Sequence, residues 1–246
     1  PIERFPALKC IQVTSAGLDR VPLDYCKAHG ITVYNAGGVY SAPMAEFVLG
    51  GILQLYKESK FFAENQAAHR WEKHRGLREL SGKTACIIGT GSVGSAIARR
   101  LRAFDVQTVG INRSGHPAAE FDQTQPTCRL DDLLPLADLV SCAMPLTAET
   151  AGLFDSVRLA KIKPGAVFVN VARGKVTDQQ ALVEALQSGQ LSGAVLDVFE
   201  EEPLPRSSPL WDMEQVILTP HNSFVGEHNG ERLFRLFCKN LESFAQ

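Results

Sequence analysis

The sequence has no excess of positive charge. Its 25 Lys and Arg stand against 27 Asp and Glu in 246 residues, a formal charge of -2. That balance excludes the basic field that holds a nucleic-acid backbone or an anionic membrane, and a small-molecule partner is the expectation. It also lacks any C-x-x-C pair. The six cysteines, at 10, 26, 86, 128, 142 and 238, lie mostly inside apolar or helical stretches, which argues against a disulfide framework or a zinc site and fits inert intracellular thiols. No apolar run is long enough to span a bilayer, and the opening "PIERFPALK" has none of the anatomy of a signal peptide, so a cytoplasmic protein is expected. There is no fixed-period repeat and no low-complexity segment. Pro1 in place of Met leaves open whether the chain begins where its gene product does.

What is present is an alternation of strand and helix patterns. At 45% hydrophobic content the chain has room for one large domain or two unequal ones. Strands are expected at 9–13, 31–36, 84–89, 107–112, 137–145, 166–172, 193–199 and 216–220, which is an α/β pattern throughout. The stretch 91–105 repeats apolar residues at Val93, Ile97, Leu101 and Phe104, and the tail from Glu231 does so at Leu233, Phe237, Leu241 and Phe244. Each spacing predicts a surface helix with one buried side. Residues 41–71 read as a single long helix opening at Ser41, with Pro43 in its first turn and Gly50 and Gly51 each weakening it by about 1 kcal/mol. The charged, poorly periodic "EKHRGLRELSGK" that follows marks a boundary. Residues 77–222 then form one compact βα series.

That series opens on "CIIGTGSVGSAIARR", where Gly89, Gly91 and Gly94 stand in G-x-G-x-x-G spacing between a strand and a helix. The first glycine permits a tight turn, the second lets backbone approach a pyrophosphate, and the third lets helix and strand pack closely. Ser92 and Val93 place free N–H groups at the helix N-terminus facing the anion. NAD-binding folds usually carry an acidic residue about 20 residues further on for the ribose hydroxyls. Here that place holds Asn112, followed by Arg113 and Ser114, which suit a 2′-phosphate. NADP(H) is therefore expected over NAD(H), with a merely solvated Arg113 as the bland reading.

Three further strand ends carry chemistry-bearing residues. Arg173 ends "VFVNVAR", ahead of a helix for which Thr177 and Gln180 have capping-box spacing. "DVFEEEP" spans 197–203 and "LTPHNS" spans 218–223. Together with the glycine loop, in this order, these segments resemble the D-isomer-specific 2-hydroxyacid dehydrogenases, and the resemblance runs from "SAGLD" at 15–19 into the last helix.

The resemblance implies a Rossmann-type doubly wound parallel sheet over 77–222 and a second, flavodoxin-like substrate domain. That second domain is N-terminally incomplete relative to the family pattern: residues 1–76 hold its later part plus a long interdomain helix, and 223–246 a C-terminal helix returning to it. Either earlier residues lie outside the chain or the domain is truncated. The long helix resembles the element through which family members form homodimers.

The implied reaction is hydride transfer between NADP(H), or NAD(H), and a D-2-hydroxy acid or its 2-oxo partner. Such a reduction needs a fixed cation for the carboxylate and a proton donor for the carbonyl oxygen. Arg173 suits the first role, because its charged planar fork matches a carboxylate. His221 suits the second, and a neighbouring carboxylate favours the imidazolium; by resemblance that neighbour is Glu202, with Glu200 and Glu201 as solvent-facing bystanders. Asp197, with the backbone at Ala172, is expected at the nicotinamide carboxamide. Pro145 and Thr150 resemble the loop lining the cofactor ribose, or form a plain connecting turn. The N–H groups around Ala16 and Gly17 are expected to bind the substrate carboxylate from the opposite wall. Tyr40 either reaches substrate or packs the helix start. The alternative to an enzyme is a dinucleotide-sensing interaction protein of the family's corepressor type.

Overall fold

The computed structural model describes residues 2–18 and 20–245. In chain order its strands are β1 (Cys10–Gln12), β2 (Thr32–Tyr34), β3 (Thr84–Ile88), β4 (Gln107–Asn112), β5 (Gln123–Pro126), β6 (Leu139–Cys142), β7 (Ala166–Asn170), β8 (Leu191–Leu196) and β9 (Val216–Leu218). Its helices are α1 (Leu23–Ala28), α2 (Ser41–Tyr56), α3 (Ser59–Ala67), α4 (Ser92–Arg102), α5 (Leu130–Leu133), α6 (Ser156–Lys161), α7 (Gln179–Gln187) and α8 (Asn229–Ala245).

β3 to β9 form one sheet in the order β5-β4-β3-β6-β7-β8-β9, with every pair parallel. All five residues of β7, AVFVN, are buried, as a strand covered by helices on both faces requires. In β3 the faces separate by alternation. Ala85 and Ile87 join the apolar layer formed with α2 and α4, whereas Cys86 and Ile88 join the layer formed with α5, α6 and α7. Burial pushes the Cys86 thiol up to about 12 and raises Cys142 as well, so both are neutral apolar groups, in keeping with the inert thiols read from the sequence. This is the α/β class the sequence pattern predicts, in the doubly wound form the family resemblance implies.

The chain divides into two units. One comprises residues up to Pro43 and from Phe224 onward, and the other runs from Met44 to Ser223. Residues 44–76, read from the sequence with the first segment, group with the sheet. In the smaller unit β1 and β2 pair in parallel, and Asn240 on α8 donates to the Gln12 side chain at 2.7 Å. The expected buried stripe of α8 is realised only in part: Leu233 is half-buried, whereas Phe237, Leu241 and Phe244 are 43%, 52% and 39% exposed. A two-stranded sheet has too little surface to cover a helix of almost five turns.

The single helix expected over 41–71 is broken. α2 stops at Tyr56, Glu58 turns into the left-handed region at φ 50°, and α3 restarts at Ser59. The cause is tertiary. The Tyr56 carbonyl, which a continuing helix would need, accepts the Arg78 N–H at 3.1 Å, while Lys57 Nζ reaches the Arg78 carbonyl at 2.7 Å. Gly51 is tolerated within α2 because it packs on β8, where an added Cβ would lie 2.6 Å from the Val195 side chain. One further expectation shifts. α4 ends at Arg102, leaving Phe104 outside the helix and exposed. The polar edge strand β5 has no apolar alternation to announce it in the sequence. Polar sequence is tolerated there because only one neighbour, β4, must be satisfied.

One electrostatic contact at the amino ends of the central strands β3 and β6 has a pH signature. Burial pushes Asp138 upward, but the Lys163 ammonium at 2.7 Å and the Thr84 N–H at 3.0 Å hold its carboxyl below the usual value. A carboxylate with a lowered folded-state pKa stabilises the fold above its unfolded value of about 3.9, and that contribution fades as the pH falls through the folded value. Asp138→Asn is therefore expected to be less stable than the parent in urea unfolding at neutral pH, with the two curves converging as the pH falls through the lowered folded-state value.

Candidate functional site

The strand order reverses between β4 and β6 across β3, and ligands of open α/β sheets bind at the carboxyl ends flanking such a switch point. At that end lies the glycine loop. Gly89 sits at φ 105°, and a Cβ there would lie 2.7 Å from the Ala143 carbonyl oxygen. A Cβ on Gly94 would lie 1.8 Å from the Gly89 oxygen, so helix and strand touch backbone to backbone. At Gly91, the residue capping α4, a Cβ would meet nothing within 4 Å, and no side chain caps the helix. Ser92 and Val93 form the first turn beside it. Uncapped N–H groups above open space fit a dinucleotide pyrophosphate.

At the end of β4 the Asn112 side chain donates to Thr90 Oγ1 at 3.2 Å and to the His116 carbonyl at 2.9 Å, and accepts from Gly115 and His116 N–H. It staples the turn to the glycine loop. The Arg113 side chain is 87% exposed and lies 3.4 Å from Glu149, and Ser114 Oγ contacts His116 at 3.2 Å. Thr150 Oγ1 donates to the Pro145 carbonyl at 2.8 Å and accepts the Thr147 N–H at 2.7 Å, closing the loop that follows β6.

β7, β8 and β9 are neighbours, so their continuations emerge side by side. The Asp197 N–H bonds the Asn170 carbonyl and the Thr219 N–H bonds the Leu196 carbonyl, both at 3.0 Å. After β7, the buried Asn170 side chain accepts from Ala172 N–H and donates to the Arg173 carbonyl at 3.1 Å. Half-buried Arg173 donates from Nη1 to the Ala172 carbonyl at 2.7 Å. The next residue, Gly174, leaves no room for a side chain: a Cβ would lie 1.9 Å from the Phe199 carbonyl group. The Arg173 loop thus rests directly on the loop that carries Glu202.

Glu202 accepts the Phe199 N–H at 3.0 Å through Oε1 and meets His221 Nδ1 at 2.9 Å through Oε2. His221 sits just past β9 at φ 51°, a left-handed conformation uncommon for residues other than glycine and often found at functional sites. Asp197 is 1% exposed, and both its carboxylate oxygens are engaged within the chain, by Thr219 Oγ1, the Asn222 and Ser223 N–H groups and the Ser223 hydroxyl.

Two local readings need correction. Asp178, not Thr177, caps α7, accepting the Ala181 N–H at 3.0 Å. Thr177 is still extended and bridged to Phe154, which moves the helix start on by one residue. Glu200 is not a bystander: its Oε1 accepts the Gln179 N–H at 2.8 Å in the first turn of α7, where a carboxylate complements the helix dipole. Sequence reasoning also passed over Asn170, Gly174 and Ser223. The asparagine and glycine flanking "VAR" were the available signal for the first two.

In the smaller unit, the carbonyls of Ser15, Ala16 and Gly17 accept from Ala36 N–H, Asn35 Nδ2 and Ser15 Oγ. The Tyr40 hydroxyl donates to the Thr14 carbonyl, and its ring packs edge-on to Phe224 at 5.7 Å.

A family model described as D-isomer specific 2-hydroxyacid dehydrogenase, NAD binding domain, matches residues 49–223. The chain is 37% identical over 243 residues to the glyoxylate reductase of Thermofilum pendens, a match covering 96% of this chain and 71% of that one. It is 37% identical over 219 residues to the D-3-phosphoglycerate dehydrogenase of Mycobacterium leprae, where it spans 88% of this chain and 41% of the relative. Among solved structures, the D-isomer specific 2-hydroxyacid dehydrogenase of Xanthobacter autotrophicus in complex with NADPH superposes with a TM-score of 0.84 at 31% identity, covering 99% of this chain and 76% of that one.

Proposed function

This chain belongs to the D-isomer specific 2-hydroxyacid dehydrogenase family, the NAD(P)-dependent oxidoreductases of 2-hydroxy and 2-oxo acids, and on that premise we propose that Arg173, Glu202 and His221 are its substrate-handling residues. Arg173 holds the carboxylate of a 2-oxo acid and polarises the adjacent carbonyl. Glu202, at Nδ1, fixes the orientation of the His221 ring and directs Nε2 to the carbonyl oxygen, which receives a proton from it in reduction and returns it in oxidation. Gly89, Gly91, Ser92, Val93 and Gly94 would hold the pyrophosphate of the dinucleotide, whose nicotinamide would supply or accept the hydride. The observation that carries the reading is the 2.9 Å contact between His221, after β9, and Glu202, after β8, the strand next to the one Arg173 follows. The test is loss of reduced-nicotinamide absorbance with NADPH and a panel of 2-oxo acids. A protein that binds NADPH and oxidises none of it with any of them is not this enzyme.

We also propose NADP(H) as the preferred cofactor, supported by Arg113 and Ser114 where an acidic residue would favour NAD(H). Arg113→Ala is expected to weaken NADPH binding about tenfold and leave NADH binding within about twofold, read by cofactor fluorescence titration.

The quaternary proposal is a homodimer. Its support is the segment from Arg70 to Leu80, which forms no helix or strand, and Trp71, which is 96% exposed, a large aromatic side chain of the type enriched in interfaces. Sedimentation of the parent chain should give a dimer, and Trp71→Ala should shift the population towards monomer. The six free cysteines support a reducing, cytoplasmic setting.

A further inference from the structure

The catalytic reading above leaves unexplained how His221 is kept in a left-handed backbone conformation that residues other than glycine rarely adopt. We propose that Ser223 and Thr219 are positioning residues. Through buried Asp197 they lock the turn that carries His221, and so set the direction of its imidazole.

Donors on both sides of the histidine converge on that one residue. Before it, Thr219 Oγ1 donates to Asp197 Oδ1. After it, the Asn222 N–H donates to Oδ1 at 2.7 Å, and the Ser223 N–H and hydroxyl reach Oδ2. His221 itself donates its N–H to the Asp197 carbonyl at 2.8 Å. Asp197 and Ser223 are 1% and 4% exposed, so these bonds form away from water, where a carboxylate gains most from added donors and a lost one is not replaced. A carboxylate saturated in this way acts as a clamp on five consecutive residues. Both hydroxyls direct their hydrogen bonds to Asp197, so each acts through the backbone, on proton transfer rather than on binding.

The inference rests on His221 being the proton donor, and the experiment separates the two claims. The full chain is assayed with NADPH and glyoxylate as the probe substrate. His221→Asn tests the underlying reading: full activity in that variant sinks it, and the clamp proposal with it. With His221→Asn inactive, Ser223→Ala and Thr219→Val test the clamp. Each is expected to lower kcat about tenfold, because a proton donor misdirected by a fraction of an ångström loses that much, with KM for glyoxylate and Kd for NADPH within about twofold. The solvent deuterium isotope effect on kcat should rise as the proton step becomes limiting, and Thr219→Ser, which keeps the hydroxyl, should retain the parent's kcat and isotope effect. Unchanged kcat in both hydroxyl-removing variants overturns the clamp. So does a kcat loss that tracks the melting temperature and is shared by Thr219→Ser, or weakened NADPH binding at intact kcat.

Discussion

His221→Asn is expected to reduce kcat for 2-oxo acid reduction by about 10²- to 10⁴-fold, the range that general acid catalysis by a positioned side chain supplies. Asparagine is the informative replacement because it tolerates the left-handed backbone at φ 51° nearly as well as any residue but glycine. The turn and its bonds to Asp197 are then retained, and only the titrating ring is lost. NADPH affinity and the melting temperature should match the parent. Activity within a few-fold of the parent would move the proton donor elsewhere. Glu202→Gln is expected to fall between the two, since the contact at Nδ1 is altered while the imidazole stays.

Arg173→Ala is expected to lower kcat/KM by about 10³-fold, with kcat and KM both affected, because one guanidinium both orients the bound carboxylate and stabilises charge developing on the carbonyl oxygen. Arg173→Lys should recover part of KM and little of kcat: an ammonium supplies the charge without the two-pronged geometry. The side chain also donates to the Ala172 carbonyl, so the alanine variant needs a check that NADPH binding survives. If only KM rises, Arg173 binds substrate without contributing to the chemical step.

How much of this is legible in the sequence depends on the range of the interactions involved. β7 and the alternating faces of β3 follow from apolar patterning alone, and the glycine loop from residue spacing beside a strand and a helix. Arg173 and His221 stand out because each follows an apolar run, Glu202 is told from Glu200 and Glu201 only by the family resemblance, and the parallel sheet brings those strand ends side by side. The break after Tyr56 is not legible, since it depends on Arg78 claiming a carbonyl 22 positions earlier in the chain. α8 has a clear amphipathic spacing, yet burial depends on what packs against it, which spacing does not encode. The donors around Asp197 are equally hidden: serine and threonine are common everywhere, and only their meeting at one buried carboxylate sets Ser223 and Thr219 apart.

The absent side chain at Gly174 has a consequence for anyone wishing to retune this enzyme. The backbone of Gly174 lies against that of Phe199 and Glu200, so Arg173, proposed to hold the substrate carboxylate, and Glu202, which meets the imidazole, sit on a shared mechanical mount. Repositioning one drags the other, and variants chosen to alter substrate scope by moving Arg173 should forfeit proton transfer as well. Engineering effort is better directed at segments outside that mount.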